Sequence, residues 1–200
     1  MVSRRAIAHL KAADPVLAAI IEQVGTPRRR QRAPTFEALA RMIVFQQLHG
    51  KAAATIYERL VAKAGGELTP QSILALDEQA MRGCGLSRQK LSYIRDLAAR
   101  TAAGEIDFPG MPEMTDDDII GHLTRVKGIG TWSAQMFLMF ALGRPDVMPT
   151  ADFAINAAIK KHYRKRQMPK PKVILKIAEC WRPFRTIACY YLWESLDIEI

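Results

Sequence analysis

The sequence predicts an all-α protein, on three observations. Ala, Leu, Ile, Lys, Arg and Glu dominate nearly every segment, no alternating β-branched run occurs, and capping residues repeatedly precede apolar stripes at helical spacing. With 200 residues, 49% of them hydrophobic, the chain fits one or two compact domains, can bury a real core and is not a disordered chain.

The elements follow in order. Asp14-Pro15 starts an early helix, with Asp as cap and Pro at the first position. Val16, Leu17, Ile20, Ile21 and Val24 lie on one face, and Gly25-Thr26-Pro27 ends it. Arg28, Arg29, Arg30 and Arg32 make a basic linker, a phosphate contact or an ordinary solvated loop. Thr35 caps a helix whose buried face is Phe36, Leu39, Met42 and Ile43. The pattern breaks at Gly50, and the next helix runs from Lys51 to about Ala64. Two short helices flank residues 74–81. Gly83-Cys84-Gly85 then turns the chain into a long helix from Ser87 to about Ala103, with a stripe of Leu91, Ile94, Leu97 and Ala98. After a loop to Pro112, Thr115 caps a helix whose first turn carries Asp116, Asp117 and Asp118, charges that suit a helix start better than a metal site. Residues 132–142 are apolar nearly all round and predict a central buried helix. Asp152 is expected in the first turn of a helix reaching about Tyr163, with Thr150 as its cap. A basic cluster follows (Lys160, Lys161, Arg164, Lys165 and Arg166), then helices over 172–179 and 183–196.

A net charge of +9 and a pI near 9.7 point to a polyanionic partner, with a solubilising charge excess as the alternative. Cys84, Cys180 and Cys189 are odd in number and scattered. They predict neither a disulfide framework nor a Cys-x-x-Cys metal site, and suggest a reducing compartment. No signal-peptide apolar region and no membrane-length apolar run is found, so a soluble, cytoplasmic monomer is expected.

One stretch carries the functional signal. In Val126-Lys127-Gly128-Ile129-Gly130-Thr131-Trp132, two glycines flank one apolar residue where a polar helix stops and an apolar one begins. Such a turn can aim backbone N–H groups at an anion, and in a basic protein the obvious anion is a nucleic-acid phosphate. Alone, the pair is more often a plain structural turn.

The stretch from Val126 through Ala134, followed by Pro149-Thr150-Ala151-Asp152, resembles the helix-hairpin-helix DNA glycosylases, in particular the 3-methyladenine DNA glycosylase II (AlkA-like) group. Three further stretches match in order. Gln46-Gln47-Leu48-His49-Gly50 resembles the family's Gln-Gln-Leu loop, Gly85-Leu86-Ser87-Arg88-Gln89-Lys90 its Gly-Leu-Ser-x-x-Lys segment, and Trp181-Arg182-Pro183-Phe184-Arg185 through Trp193 its C-terminal helix. The resemblance implies one glycosylase domain of two helical lobes, residues 35–143 and residues 1–34 with 144–200, with a cleft between them holding Asp152 and Trp132. It also implies that no extra N-terminal β-containing domain precedes them.

The resemblance assigns Asp152 as the catalytic carboxylate. An anion below the sugar stabilises the oxocarbenium-like state of glycosidic cleavage and can orient a water. Bifunctional relatives carry a lysine nucleophile where this chain has Trp132, so no Schiff-base chemistry is expected. Trp132 and Trp193 would stack on a cationic alkylated base, or be core; Met136 and Gln47 join them as base-binding residues. Leu48 matches the wedge that fills the gap left by an extruded base. Gln46, Gln47 and His49 would meet base edges, His49 being equally a solvated loop residue. Gly128, Ile129, Gly130 and Thr131 would clamp a phosphate. Lys51, Lys90, Lys127 and Arg185 would add contacts or be solvated. No cofactor is expected and no metal is required, although Na⁺ or K⁺ at the carbonyls of Arg125, Val126, Gly128 and Gly130 fits the family pattern.

The implied activity is monofunctional excision of alkylated purines, 3-methyladenine and 7-methylguanine, from damaged double-stranded DNA in base excision repair. The alternatives are a glycosylase for neutral lesions (hypoxanthine, ethenoadenine) and a non-catalytic helix-hairpin-helix DNA-binding protein.

Overall fold

The computed structural model describes residues 3–27 and 32–196. Arg28, Arg29 and Arg30 of the basic linker lie outside the described residues; Arg32 is exposed. The described residues are all-helical. In chain order the helices are α1 (Arg4–Ala13), α2 (Pro15–Val24), α3 (Phe36–Phe45), α4 (Gly50–Lys63), α5 (Pro70–Ala75), α6 (Glu78–Gly83), α7 (Arg88–Ala102), α8 (Asp116–Leu123), α9 (Thr131–Phe140), α10 (Phe153–His162), α11 (Pro171–Ala178) and α12 (Arg185–Glu194). Short 3₁₀ turns occupy Met111–Glu113 and Glu179–Trp181.

The caps explain most of the boundaries. The Asp14 side chain accepts from the Val16 and Leu17 amides, and those of Thr35, Ser87 and Thr115 accept from Ala38, Lys90 and Asp118. α1 is a helix the sequence reading lacked. Ser3 caps it through the Ala6 amide, and its buried face is only Ala6 and Leu10. α4 begins at Gly50, one residue before the expected Lys51, with His49 at the cap position.

The chain divides into two compact units. One is continuous, Arg32–Phe137. There α7 packs on α3 and α5 through the predicted stripe of Leu91, Ile94, Leu97 and Ala98, all buried. The other joins Met1–Gln31 to Leu138–Ile200. Its α2 and α10 both pack on α12, and Leu10, Leu17, Ile159 and Tyr191 are fully buried.

Asp14 ties this second unit together. Besides capping α2, its Oδ2 accepts from the Tyr163 hydroxyl at 2.6 Å and the Trp181 indole N–H at 2.8 Å. The carboxylate is buried, and its four donors come from α2, the end of α10 and the 3₁₀ turn before α12. All three thiols are free; Cys84 and Cys189 are buried and Cys180 is exposed.

Candidate active site

Asp152 does not sit in the first turn of its helix. It is the N-cap residue of α10, in extended conformation, and its Oδ1 accepts from the Ile155 amide at 2.8 Å. Thr150, the expected cap, instead accepts the Asn156 side-chain amide on its carbonyl. Either Thr or Asp can cap, and the residue with extended backbone takes the role. As cap, the Asp152 carboxylate faces the positive end of the helix dipole. A second donor reaches the same oxygen: the Trp193 indole N–H lies 3.0 Å from Asp152 Oδ1. Asp152 is 7% exposed, but its neighbours Ala151 and Phe153 are exposed, Phe153 to 77%. This large exposed aromatic beside the carboxylate is a feature that the sequence reading passed over.

α12 fixes the loop leading to Asp152 at two places. At its start Arg185 grips Asp146, Nε to Oδ1 at 2.7 Å and Nη2 to Oδ2 at 2.9 Å, and the Thr186 hydroxyl accepts from the Val147 amide while donating to the Arg144 carbonyl. Two turns later comes Trp193. Arg185 is therefore a structural anchor with an 11% exposed side chain, not the phosphate contact that was expected. Between these points Cys189 is fully buried. Burial, and then the charge of Asp152, push its thiol up, so it stays neutral at physiological pH. Trp193 also closes an aromatic group: its ring stacks on Phe140 at 5.6 Å and leans on Tyr190 at 6.0 Å.

The continuous unit holds the glycine turn and the glutamine loop. Gly128 has φ 78°, and a Cβ there would fall 2.1 Å from the Tyr93 ring, so both conformation and space demand glycine. Gly130 shows neither constraint. The turn is braced by Asp96, whose Oδ2 accepts from the Lys127 amide at 2.9 Å and from Arg100 Nε at 3.0 Å. Burial alone would raise the Asp96 carboxyl, but these donors outweigh it and hold it below the usual carboxylate value, so the brace is charged at neutral pH. Lys127 itself is exposed, its ammonium 3.9 Å from Asp96, and Ile129 is buried with its amide on the Val126 carbonyl. Gly128→Ala should lower stability by about 2–3 kcal/mol, read by thermal unfolding.

The same turn is tied to the glutamine loop. Gln46 Nε2 donates to the Gly128 carbonyl at 3.0 Å. Lys90 Nζ donates to the Val44 and Gln46 carbonyls, each at 2.6 Å, so this partly buried ammonium holds the loop rather than a phosphate. Burial lowers its pKa. Gln47 takes φ 54°, a left-handed backbone for a non-glycine residue, and Leu48 is left 41% exposed at the loop tip. His49, Lys51 and Thr131 are exposed. Trp132 departs from the buried helix expected over 132–142: α9 ends at Phe140, and Trp132 on its first turn is 43% exposed, whereas Met136 is 4% exposed.

Residues 40–183 match the model of the HhH-GPD superfamily base excision DNA repair proteins. The chain belongs to this superfamily. A similar HhH-GPD relative is DNA-3-methyladenine glycosylase 1 of Schizosaccharomyces pombe, 34% identical over 193 residues, which cover 94% of this chain and 85% of that one. The solved S. pombe 3-methyladenine DNA glycosylase in complex with abasic DNA superposes with a TM-score of 0.86 at 33% identity, over 97% of both chains. A DNA-3-methyladenine glycosidase from Bacillus halodurans gives the same TM-score, 0.86, at 34% identity, over 97% of this chain and 89% of that one. The HhH-GPD assignment agrees with the all-helical fold and with the glycine turn in its tethered setting.

Proposed function

We propose that this chain is a monofunctional DNA glycosylase that excises alkylated purines, 3-methyladenine and 7-methylguanine, from duplex DNA in base excision repair. The observation that carries this reading is the Asp152 carboxylate, capping α10 and held by the Trp193 indole. The similar 3-methyladenine DNA glycosylases of S. pombe, one of them solved on abasic DNA, support it.

The chemistry follows from the site. The N-glycosidic bond breaks with its electron pair leaving on the base, and a cationic alkylated purine departs neutral. Positive charge then develops on the sugar, and a fixed carboxylate stabilises it. Water adds to the sugar carbon and gives its proton to Asp152. Trp193 is a positioning residue: its N–H fixes one carboxylate oxygen. Trp132, exposed, offers an indole face to an electron-poor base and supplies no amine, so cleavage stops at the abasic site. Gln47 and Met136 complete the proposed base-binding set. Leu48 fills the space of the extruded nucleotide, with Gln46 and His49 toward base edges. Gly128, Gly130 and Thr131 seat a phosphate, with Ile129, buried and its amide on the Val126 carbonyl, holding the turn and Lys51 and Lys127 adding charge.

No cofactor is needed for this reaction. A monovalent cation is compatible with the hairpin. The Val126 and Gly130 carbonyls accept from the Ile129 and Ala134 amides, and Gly128 accepts from Gln46, leaving each a second lone pair. With Arg125, these carbonyls would hold Na⁺ or K⁺, which would supply positive charge for a phosphate. Among the described residues no helix is long and apolar enough to cross a membrane. A monomer working on DNA in the cytoplasm fits the reading.

Base release from methylated duplex DNA, with and without alkali, tests the assignment. Free base is expected, with strand breaks only after alkali. Breaks without alkali, trapped by borohydride, would overturn the monofunctional reading. Trp193→Phe keeps the ring and removes the donor. It should lower kcat by about ten- to a hundredfold while leaving duplex affinity unchanged.

A further inference from the structure

The end of α10 remote from Asp152 has its own chemistry. Of the 17 residues from 160 to 176, eight are Lys or Arg and none is Asp or Glu. The helix dipole accounts for two cations in the last turn, Lys160 and Lys161; burial and then the charge of Lys161 lower the pKa of His162 beside them, so it is neutral. Arg164, Lys165, Arg166, Lys170, Lys172 and Lys176 lie beyond it and are exposed.

Lys160, Arg164 and Lys165 lie together where α10 ends. Arg164 takes φ 51° and ends the helix, with the Lys165 amide returning to the Lys160 carbonyl. The Tyr163 and Trp181 rings meet at 6.3 Å over Asp14, which brings the ends of α10 and α11 together. Beside them is an open depression of about 500 Å³. Val16, Ala19 and Ile20 of α2 give it an apolar floor, and Tyr163 and His162 a wall. Arg164 and Gln23 stand at its edge. Glu22, next to Gln23 in the chain, is paired with Lys11 at 2.9 Å.

An apolar floor with Arg164 at its edge, and Lys160 and Lys165 joined to each other beside Arg164, matches an acidic peptide carrying an apolar anchor better than it matches duplex DNA, whose backbone offers charge and no apolar side chain. The geometry agrees. Ten residues of helix place this surface about 15 Å along the axis from the Asp152 cap, at the opposite end from the substrate. We propose that this face docks an acidic polypeptide segment, its apolar anchor on Val16, Ala19 and Ile20 and its carboxylates against Lys160, Arg164 and Lys165. The exclusion of DNA here rests on the glycosylase reading; the docking itself is tested on DNA-free protein, so failures of the two are told apart.

The probe is a fluorescein-labelled dodecapeptide of Asp and Glu with two central phenylalanines, followed by anisotropy. A control peptide has serines for the phenylalanines, and labelled duplex is titrated separately. Lys165→Glu with Arg166→Glu reverses the rim, Ala19→Trp fills the floor, and thermal unfolding checks that both variants fold. The expected result is saturable binding, weakened at least about tenfold by either variant and by the serine control, with duplex affinity and base release unchanged within about twofold. Absence of binding, binding indifferent to the variants or to the phenylalanines, or loss of duplex affinity on rim reversal overturns the proposal; the last would make the surface a DNA contact.

Discussion

Asp152→Asn should abolish base release from methylated duplex DNA, lowering kcat by at least about a thousandfold, while duplex affinity changes little. The amide is nearly isosteric, and its oxygen can still accept from the Ile155 amide and the Trp193 indole, so α10 keeps its cap. What disappears is the negative charge, and with it the stabilisation of the sugar cation and the acceptor for the water proton. Single-turnover release, set beside anisotropy on an abasic duplex, separates the two effects. Retained excision with the amide would remove Asp152 from the chemistry, and collapse of both excision and duplex binding would make it structural.

The second large effect is on stability. Asp14→Ala removes a carboxylate that accepts from the Val16 and Leu17 amides, the Tyr163 hydroxyl and the Trp181 indole. Loss of the cap costs about 1 kcal/mol, and the buried hydroxyl and indole N–H lose their acceptor at about 1–3 kcal/mol each. A loss of about 4 kcal/mol is expected, or a fall in Tm of roughly 10 °C for a chain of this size. Asp14→Asn keeps an oxygen and should fall between. The rise of the Tyr163 hydroxyl, caused first by burial and then by its bond to Asp14, marks it as a donor at neutral pH. A Tm within about 2 °C of wild type for Asp14→Ala would show that water replaces the carboxylate.

How far the structure could be read in advance depended on how local each interaction is. Asp14-Pro15, Thr35 and Thr115 cap within three residues of themselves, so residue type and spacing sufficed. Gly128 was legible as a turn for the same reason, although the Tyr93 ring that shares the space was not. α1 escaped because its stripe is short and set among charged residues, with only Ala6 and Leu10 buried. Asp152 was expected two positions further into the helix because Thr150 and Asp152 are both good caps and only the backbone chooses. Lys90 and Arg185 looked like phosphate ligands because their partners are far along the chain: the Val44 and Gln46 carbonyls for one, Asp146 for the other. The burial expected over residues 132–142 fails at Trp132 because averaging over an apolar helix hides one exposed ring at its first turn. The bond from Trp193 to Asp152, 41 positions apart, had no local signal at all.

The interleaved order of the two units bears on biosynthesis. Residues 32–137 are contiguous and can fold as soon as they clear the ribosome, whereas α1 and α2 emerge first and must wait for residues 138–200. Until Tyr163 and Trp181 arrive, Asp14 lacks two of its four donors, and Leu10, Leu17 and Ile20 have no complete core to enter. The apolar faces of α1 and α2 therefore stay uncovered until residues 138–200 have been made.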